Sequence, residues 1–346
     1  MKFIRWIRKA HWKLAGKILL SILVIFISLE ATVRFHYFGF DGFSFQKMGD
    51  SFQDMTRADI VQRSEDPEIF YEFKPNFETR FRNKRFATNT QGFRDKEYSL
   101  SKPPFTFRVA VVGASYVMGW GVELEETFHT VLEDQLTRER KGMTYEFINM
   151  GVGGYSPWRS LTVVKKKALK YGPDLILFAT TPYMYKSDPK PPLPTTRLTR
   201  HPFFTSYFKN FLRFRIRMLL NRIGLRKSDG SATMAQARNR IHDVFSQLEE
   251  TAKTTGIPVC VVILENKNYS LEIVPEIEAA ARDHGLWLVD ATEPFVRDGF
   301  PKYCTHRLDC HPNAEAHRIF ARVIHDFLVE KHLLESVEPK RANHRP

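Results

Sequence analysis

Three residues whose types suit nucleophilic catalysis stand far apart in this sequence of 346 residues. Ser115 follows the apolar run Val-Ala-Val-Val-Gly-Ala at positions 109–114, and Asp309 and His311 lie together near the other end of the chain. A serine hydroxyl becomes a good nucleophile when a histidine takes its proton and a carboxylate orients that histidine. These residues therefore predict acyl transfer or ester hydrolysis through Ser115, with His311 as the base and Asp309 as its partner.

Alternating strands and helices must position these residues. From about residue 107, short apolar runs alternate with longer stretches of helical periodicity, which predicts a parallel sheet covered on both faces. Sites in such sheets lie at the carboxyl ends of the strands, where Ser115 is expected. The predicted strands cover residues 108–113, 145–149, 175–179, 258–264 and 286–290. The predicted helices cover residues 124–140, 157–171, 235–255, 271–284 and 313–332.

Three sequence blocks surround the candidate residues. They read Gly-Ala-Ser-Tyr-Val-Met-Gly-Trp-Gly-Val at 113–122, Asn-Met-Gly-Val-Gly-Gly-Tyr at 149–155 and His-Pro-Asn-Ala-Glu-Ala-His at 311–317. In order and spacing they resemble the SGNH/GDSL hydrolase superfamily as found in bacterial surface-associated members. The resemblance covers residues 107–330 and implies a three-layer αβα, flavodoxin-like fold with a parallel five-stranded sheet. It implies that Ser115 is the nucleophile, His311 the base and Asp309 its orienting partner.

The sequence departs from the family pattern in three places. Ala114 stands where the family has the Asp of its Gly-Asp-Ser block. Asp309 precedes His311 by two residues, whereas the family often has three. Tyr183 stands where the family places an Asn that binds the oxyanion. The nucleophile and its base are therefore kept, but the polar surroundings of the serine differ.

The donors for the oxyanion are accordingly predicted as a set. The resemblance implies that the backbone N–H groups of Ser115 and Gly154 point at the oxyanion. Thr180 and Thr181 are candidate substitutes for the missing Asn side chain. Asn149 is a further candidate for contact with the substrate, the alternative being that it holds the turn after its strand.

An apolar stretch near the N-terminus predicts a membrane anchor. Residues 14–33 can span about 30 Å as a helix, with Lys17 and Glu30 near its ends. Six Lys and Arg residues within positions 1–17 place the N-terminus in the cytoplasm and the rest of the chain outside. A cleaved signal peptide is the alternative, although no small-x-small cleavage site follows. Outside the cytoplasm, Cys304 and Cys310 either form a disulfide or remain two thiols.

Positive charge is concentrated in one further segment. The net charge is +13, and residues 183–227 carry eleven Lys and Arg residues against one Asp, so the remaining chain after the N-terminal cluster is nearly neutral. This distribution argues against a nucleic-acid-binding protein. Residues 207–223 have the pattern of a basic amphipathic helix, which fits contact with anionic lipid or an acidic polysaccharide, or only a solvated face of a packed helix.

These observations predict four parts of the chain and three possible functions. The parts are a basic segment with the anchor (1–34), a stalk (35–105), a hydrolase-like domain (106–334) with a basic insertion (183–232), and a polar tail (335–346). No metal-ligand spacing and no cofactor motif is present in the sequence. The leading hypothesis is an esterase acting on O-acyl groups of cell-surface glycans. The alternatives are an O-acetyltransferase of surface polysaccharide that uses the same triad, and a catalytically degenerate glycan-binding or assembly module.

Overall fold

The computed structural model describes residues 2–50, 57–82, 84–186, 202–222, 233–266, 271–298, 301–306 and 309–335. The chain divides into two compact units, one formed by Met1–Gln53 and Leu198–Asp229 and the other by Asp54–Arg197 and Gly230–Pro346. The predicted tail and the flanks of the predicted basic insertion lie largely outside the described residues.

A five-stranded parallel sheet forms the centre of the larger unit. Its strands run in the order β6-β5-β7-β8-β9, which is the doubly wound order of flavodoxin-like folds. The strands are β5 (Thr106–Val112), β6 (Thr144–Asn149), β7 (Leu175–Thr180), β8 (Val259–Ile263) and β9 (Trp287–Asp290). The predicted strands and the predicted three-layer fold are thus confirmed, with strand ends shifted by no more than two residues.

Helices cover both faces of this sheet because alternate residues of each strand point to opposite sides. In β5, Ala110 and Val112 join the core that contains helices α6, α8 and α9, whereas Val109 and Val111 join the core that contains α5 and α11. The helices of this unit are α3 (Arg57–Ile60), α4 (Ser115–Met118), α5 (Phe128–Glu139), α6 (Pro157–Lys166), α8 (Met234–Thr255), α9 (Val274–Asp283), α10 (Glu293–Asp298) and α11 (Ala314–Glu330).

The segment before β5 belongs to the core of the larger unit. Its aromatic residues Tyr71, Phe73 and Phe86 are buried in the same core as α6 and α8. The strands here form two antiparallel hairpins, β1 (Val61–Arg63) with β2 (Tyr71–Phe73) and β3 (Glu78–Phe81) with β4 (Lys84–Ala87). The short strands expected in the predicted stalk are present, but residues 57–105 pack on the sheet because their rings supply apolar surface to it.

The smaller unit contains a long apolar helix and the basic amphipathic helix. Helix α1 (Lys2–Phe38) is long and apolar enough over residues 14–43 to cross a membrane, and none of its apolar window is buried. The unit also contains α2 (Phe45–Asp50) and α7 (Tyr207–Arg222), which lies close to residues 207–223 of the sequence prediction. The predicted basic insertion (183–232) is thus split between the two units, because Leu198–Asp229 groups with α1 and the remainder groups with the sheet.

Candidate active site

Ser115 lies where the central strand of the sheet ends. The strand β5 ends at Val112, and Ser115 is the first residue of the short helix α4 after Gly113 and Ala114. A Cβ atom on Gly113 would lie 2.8 Å from the carbonyl oxygen of Ala179, so only glycine allows the two strands to approach so closely here. The sheet therefore holds the serine at its carboxyl edge, as the sequence predicted.

His311 reaches Ser115 from a small hairpin of β10 (Cys304–His306) and β11 (Asp309–Pro312). The Ser115 hydroxyl lies 3.1 Å from His311 Nε2, a distance at which it can donate its proton to the ring. A disulfide between Cys304 and Cys310 joins the two strands immediately before His311. The base is thus held on a covalently braced hairpin.

Asp309 completes the arrangement. His311 Nδ1 lies 2.5 Å from Asp309 Oδ1, so the ring N–H donates to the carboxylate and leaves Nε2 free to accept from Ser115. Burial alone would raise the pKa of Asp309, but the hydrogen bond and charge of His311, the Trp120 N–H and the charge of Arg82 together lower it well below its usual value. The carboxylate is therefore ionised at neutral pH.

Trp120 contacts both partners of the serine. Its indole ring is stacked on the His311 ring with a centroid distance of 4.6 Å and an interplanar angle of 16°. Its Nε1–H donates to Asp309 Oδ2 over 2.9 Å. No role was predicted for Trp120 from the sequence, although it stands inside the first motif block between two glycines.

Arg82 comes from the turn between β3 and β4. Its Nε lies 4.0 Å from Asp309 Oδ2, and its guanidinium carbon lies 5.3 Å from the centre of the Trp120 ring. This residue was also missed, because it lies in the segment predicted as a stalk. Arg82 thus contributes directly to the surroundings of the Asp309 carboxylate.

A small pocket, partly open to solvent, lies next to the two residues that flank Ser115 in the sequence. Its walls are mostly apolar, and Ala114 and Tyr116 on either side of Ser115 both belong to it. The Tyr116 hydroxyl is held by Glu265 Oε1 at 2.9 Å and Asn266 Oδ1 at 2.8 Å. The remaining lining residues are Val117, Tyr155, Pro157, Ser160, Ala179, Thr180, Thr181, Met184 and Leu264.

The predicted oxyanion donors are only partly brought to this pocket. Thr180 and Thr181 line it, and the buried Thr181 hydroxyl has no hydrogen-bond partner among the described residues. Gly154 has a φ of +85°, which favours glycine, and it directly precedes the lining residue Tyr155. Tyr183 is half-buried in the turn Pro182–Tyr185 and is not among the lining residues.

Asn149 has a different setting. Its amide donates to the carbonyl of Arg94 over 3.3 Å, and its side-chain oxygen accepts the N–H of Gly151 over 3.0 Å. It is fully buried, so both polar ends are used within the fold. This arrangement matches the alternative in which Asn149 holds the turn after its strand.

Comparison with known proteins gives likenesses of fold. No protein-family model and no curated protein matches the sequence significantly. A two-domain esterase active on acetylated mannans is 16% identical over 67% of this chain and 50% of its own, with a TM-score of 0.44. A putative lipolytic protein of the G-D-S-L family from Desulfitobacterium hafniense is 10% identical over 64% of this chain and 99% of its own, with a TM-score of 0.41. An acetylxylan esterase from Geobacillus stearothermophilus is 8% identical over 64% of this chain and 94% of its own, with a TM-score of 0.43.

The likeness of the candidate site to a serine hydrolase triad therefore depends on the chain's own residues. Within the described ranges, no group of three or more His, Cys, Asp or Glu side chains is placed to hold a metal ion. A triad is recognised by the geometry and roles of its members, whatever their positions in the sequence. The three motif blocks, the order of the strands and the hydrogen-bonded Ser115, His311 and Asp309 are together similar to the SGNH/GDSL pattern described above.

Proposed function

We propose that this protein is a membrane-anchored serine esterase of the SGNH type that removes O-acyl groups from cell-surface glycans. The observation that carries the proposal is the continuous line of hydrogen bonds from Ser115 through His311 to Asp309. An ordinary serine needs no such neighbours, and each of these three residues is oriented for its part in nucleophilic catalysis. The reaction proceeds through an acyl-serine intermediate.

In the first half-reaction, His311 Nε2 takes the hydroxyl proton while Ser115 Oγ attacks the carbonyl carbon of the ester. When the resulting tetrahedral intermediate collapses, the bond to the sugar oxygen breaks and that oxygen receives the proton from His311. Water then attacks the acyl-serine with His311 again as base, and His311 returns the proton to Ser115 Oγ as the bond to the acyl group breaks and the carboxylic acid is released. Asp309 keeps its negative charge throughout and stabilises the imidazolium form of His311.

The oxyanion of the intermediate needs donors on the pocket side of Ser115. We assign this task to the backbone N–H groups of Ser115 and Gly154, together with the Thr181 hydroxyl. The buried, unpartnered hydroxyl of Thr181 supports its inclusion, because a buried polar group without a partner is costly unless a ligand satisfies it. A single donor of this type contributes roughly 3 to 4 kcal/mol to stabilising the transition state.

The pocket beside Ser115 favours a short acyl group. Its apolar walls include Ala114, Val117, Ala179 and Leu264, and the space between them has room for about one water molecule. An acetyl group fits this description better than a long acyl chain. The resemblance of the motif blocks to bacterial surface-associated members suggests that the alcohol part of the ester is a sugar.

Two features support a location outside the cytoplasm. The six basic residues before the apolar part of α1 favour a cytoplasmic N-terminus, with the larger unit on the other side of the membrane. The disulfide between Cys304 and Cys310 fits an oxidising compartment. A reporter fused after residue 40 should be active only outside the cytoplasm, and cytoplasmic activity would exclude this topology.

The enzymatic part is tested by covalent labelling and ester hydrolysis with the full chain in detergent. We expect a fluorophosphonate probe to label the parent protein and the Ser246→Ala control, whose substitution lies on the exposed face of α8, but not Ser115→Ala. Hydrolysis of p-nitrophenyl acetate should follow the same pattern. A folded parent that neither labels nor hydrolyses would contradict the proposal and favour the degenerate binding module. Recovery of acetylated acceptor sugar in place of acetate would identify the transferase.

A further inference from the structure

Helix α7 is joined to the apolar helix α1 at its first turn. The carboxylate of Glu30 accepts the backbone N–H groups of Tyr207 and Phe208, each over 3.0 Å, and the Ser206 hydroxyl over 2.9 Å. A carboxylate at this position satisfies free N–H groups of the helix and complements the positive end of its dipole. Glu30 of the proposed anchor therefore fixes where α7 begins.

A second residue of α1 strengthens this junction. Arg34 forms an ion pair with Glu30 at 2.8 Å and donates to the carbonyl groups of Phe203 and Thr205 over 2.5 and 3.0 Å. The ring of Phe208 makes an edge contact with that of Phe26 at 5.8 Å. Phe26 lies within the apolar stretch of α1, so the contact brings the start of α7 to the depth of that stretch.

The side of α7 that begins with Phe208 continues as an exposed apolar stripe. Leu212, Ile216 and Leu219 follow at helical spacing, and 44%, 47% and 56% of their surfaces are exposed. Exposed basic side chains flank the stripe at Lys209, Arg213 and Arg215. The sequence of α7 contains no acidic residue.

This pattern suits the boundary between lipid headgroups and acyl chains. A helix there buries its apolar stripe among the acyl chains while its basic side chains extend to lipid phosphates. Helix α7 is too rich in arginine to cross a bilayer, but its junction with Glu30 and Phe26 keeps it next to one. An acidic polysaccharide would engage the basic residues but would leave the apolar stripe in water.

We propose that α7 lies in the membrane interface beside α1 and binds anionic phospholipid headgroups through Lys209, Arg213 and Arg215. The inference rests on the membrane anchor proposed above. Together the two helices attach the protein at two places, which restrains the orientation of the chain as it leaves the membrane. Lipid composition then affects the attachment of the protein without any change in its catalytic residues.

The test uses the full-length protein in phosphatidylcholine nanodiscs, with or without phosphatidylglycerol, that contain a nitroxide-labelled lipid. An environment-sensitive fluorophore is attached to a single cysteine introduced as Ile216→Cys, Asn210→Cys or Leu23→Cys. The native cysteines do not interfere, because Cys260 is buried and the other two form a disulfide. We expect strong quenching at position 23, strong quenching at position 216 that is roughly threefold greater with phosphatidylglycerol, and weak quenching at position 210.

Charge variants test the lipid headgroup. In the presence of phosphatidylglycerol, Lys209→Gln, Arg213→Gln and Arg215→Gln should each reduce the equilibrium constant for embedding position 216 by roughly fivefold. The control variants Arg282→Gln, Arg318→Gln and Arg322→Gln alter exposed arginines of the larger unit and should change nothing.

Each other outcome contradicts a defined part of the inference. If the label at position 23 is strongly quenched while those at 216 and 210 are quenched equally weakly, the anchor is present but α7 is not in lipid. An absence of quenching at 23 would remove the anchor itself. If phosphatidylglycerol has no effect while added alginate shifts the emission at 216, the ligand is an acidic polysaccharide and the proposal is wrong.

Discussion

The indole of Trp120 lies flat against the imidazole of His311, with ring centres 4.6 Å apart and planes inclined by 16°. The same indole donates its N–H to Asp309 Oδ2, while His311 donates to Asp309 Oδ1. Each oxygen of the carboxylate is therefore bound by a different donor, and the histidine ring can neither flip nor tilt without losing one of these contacts. Trp120 thus positions His311, the base of the proposed reaction.

Removing the indole N–H should slow the chemical step. In Trp120→Phe the ring can still stack on His311, but Asp309 Oδ2 loses its donor. Because a hydrogen bond to a charged group contributes roughly 1.5 to 3 kcal/mol, we expect kcat for p-nitrophenyl acetate to fall by about tenfold or more, with little change in KM. Trp120→Ala, which also removes the stacked ring, should be slower still.

A matched control separates this effect from general loss of a tryptophan. Trp158 also donates its indole N–H to a carboxylate, that of Asp243 on the surface, over 2.8 Å. Trp158→Phe should retain the kcat of the parent. An unchanged kcat in Trp120→Phe would show that the bond between Trp120 and Asp309 does not assist catalysis.

Arg82 should have a smaller, salt-dependent effect. Its Nε is 4.0 Å from Asp309 Oδ2, and 40% of the Arg82 side chain is exposed, so solvent screens the attraction between the charges. We expect Arg82→Gln to lower kcat by only about two- to fivefold at low ionic strength, and the difference to shrink as salt is added. Steady-state kinetics at several salt concentrations would measure it.

The control for Arg82 lies in the same hairpin. Arg85 forms an exposed ion pair with Glu78 at 2.8 Å, and Arg85→Gln should leave kcat unchanged at every salt concentration. If Arg82→Gln lowered kcat equally at low and high salt, its effect would have to come from the shape of the hairpin and not from its charge.

The contacts of Trp120 and Arg82 with Asp309 could not be predicted from the sequence, whereas the three residues of the proposed triad could. Ser115, His311 and Asp309 could be predicted because each stands in a short local pattern, at the end of an apolar strand or within one motif block. The contacts of Trp120 and Arg82 with Asp309 join parts of the chain that only the folded structure brings together. No periodicity of three or four residues reveals such a pairing.

The packing of the segment before the sheet could not be predicted for a related reason. Its strands have only three or four residues each, which is too short for a pattern of alternation to be recognised. Burial is instead supplied by single aromatic rings such as Tyr71 and Phe86. The position of α7 was equally hidden, since its amphipathic pattern fits a helix packed on any apolar surface.

The disulfide should matter for both activity and stability. Cys310 is adjacent to His311, and its bond to Cys304 closes a loop with a sequence separation of 6. Reduction should loosen the hairpin that carries the base, lowering kcat several-fold and the free energy of unfolding by roughly 2 kcal/mol. Both are measured with and without dithiothreitol, followed by alkylation to confirm that two thiols were released.

A double variant provides the comparison for reduction. Cys304→Ser with Cys310→Ser should resemble the reduced parent and should not respond further to dithiothreitol. The third cysteine does not complicate the result, because Cys260 is fully buried in β8. Equal activity of the oxidised parent, the reduced parent and the double variant would show that the hairpin holds His311 without the disulfide.

Asp95 should make the stability of the protein depend on pH. Burial raises the pKa of Asp95 from 3.8 to about 7, although hydrogen bonds such as that from the Asn149 N–H act to lower it. Between these two values the folded carboxyl keeps a proton that the unfolded chain has released, so stability falls as pH rises through this range. The stabilisation of the parent relative to Asp95→Asn should therefore decline by roughly 4 kcal/mol between about pH 4 and pH 7, and stay level above pH 8. Urea unfolding at a series of pH values measures the difference.

Asp66→Asn is the control of opposite sign. The pKa of Asp66 is lowered, mainly by a hydrogen bond from Lys166. The contribution of Asp66 to stability is therefore lost only as the pH falls into the acid range. A difference between the parent and Asp95→Asn that stayed constant from pH 4 to pH 7 would show that the buried carboxyl does not take up this proton.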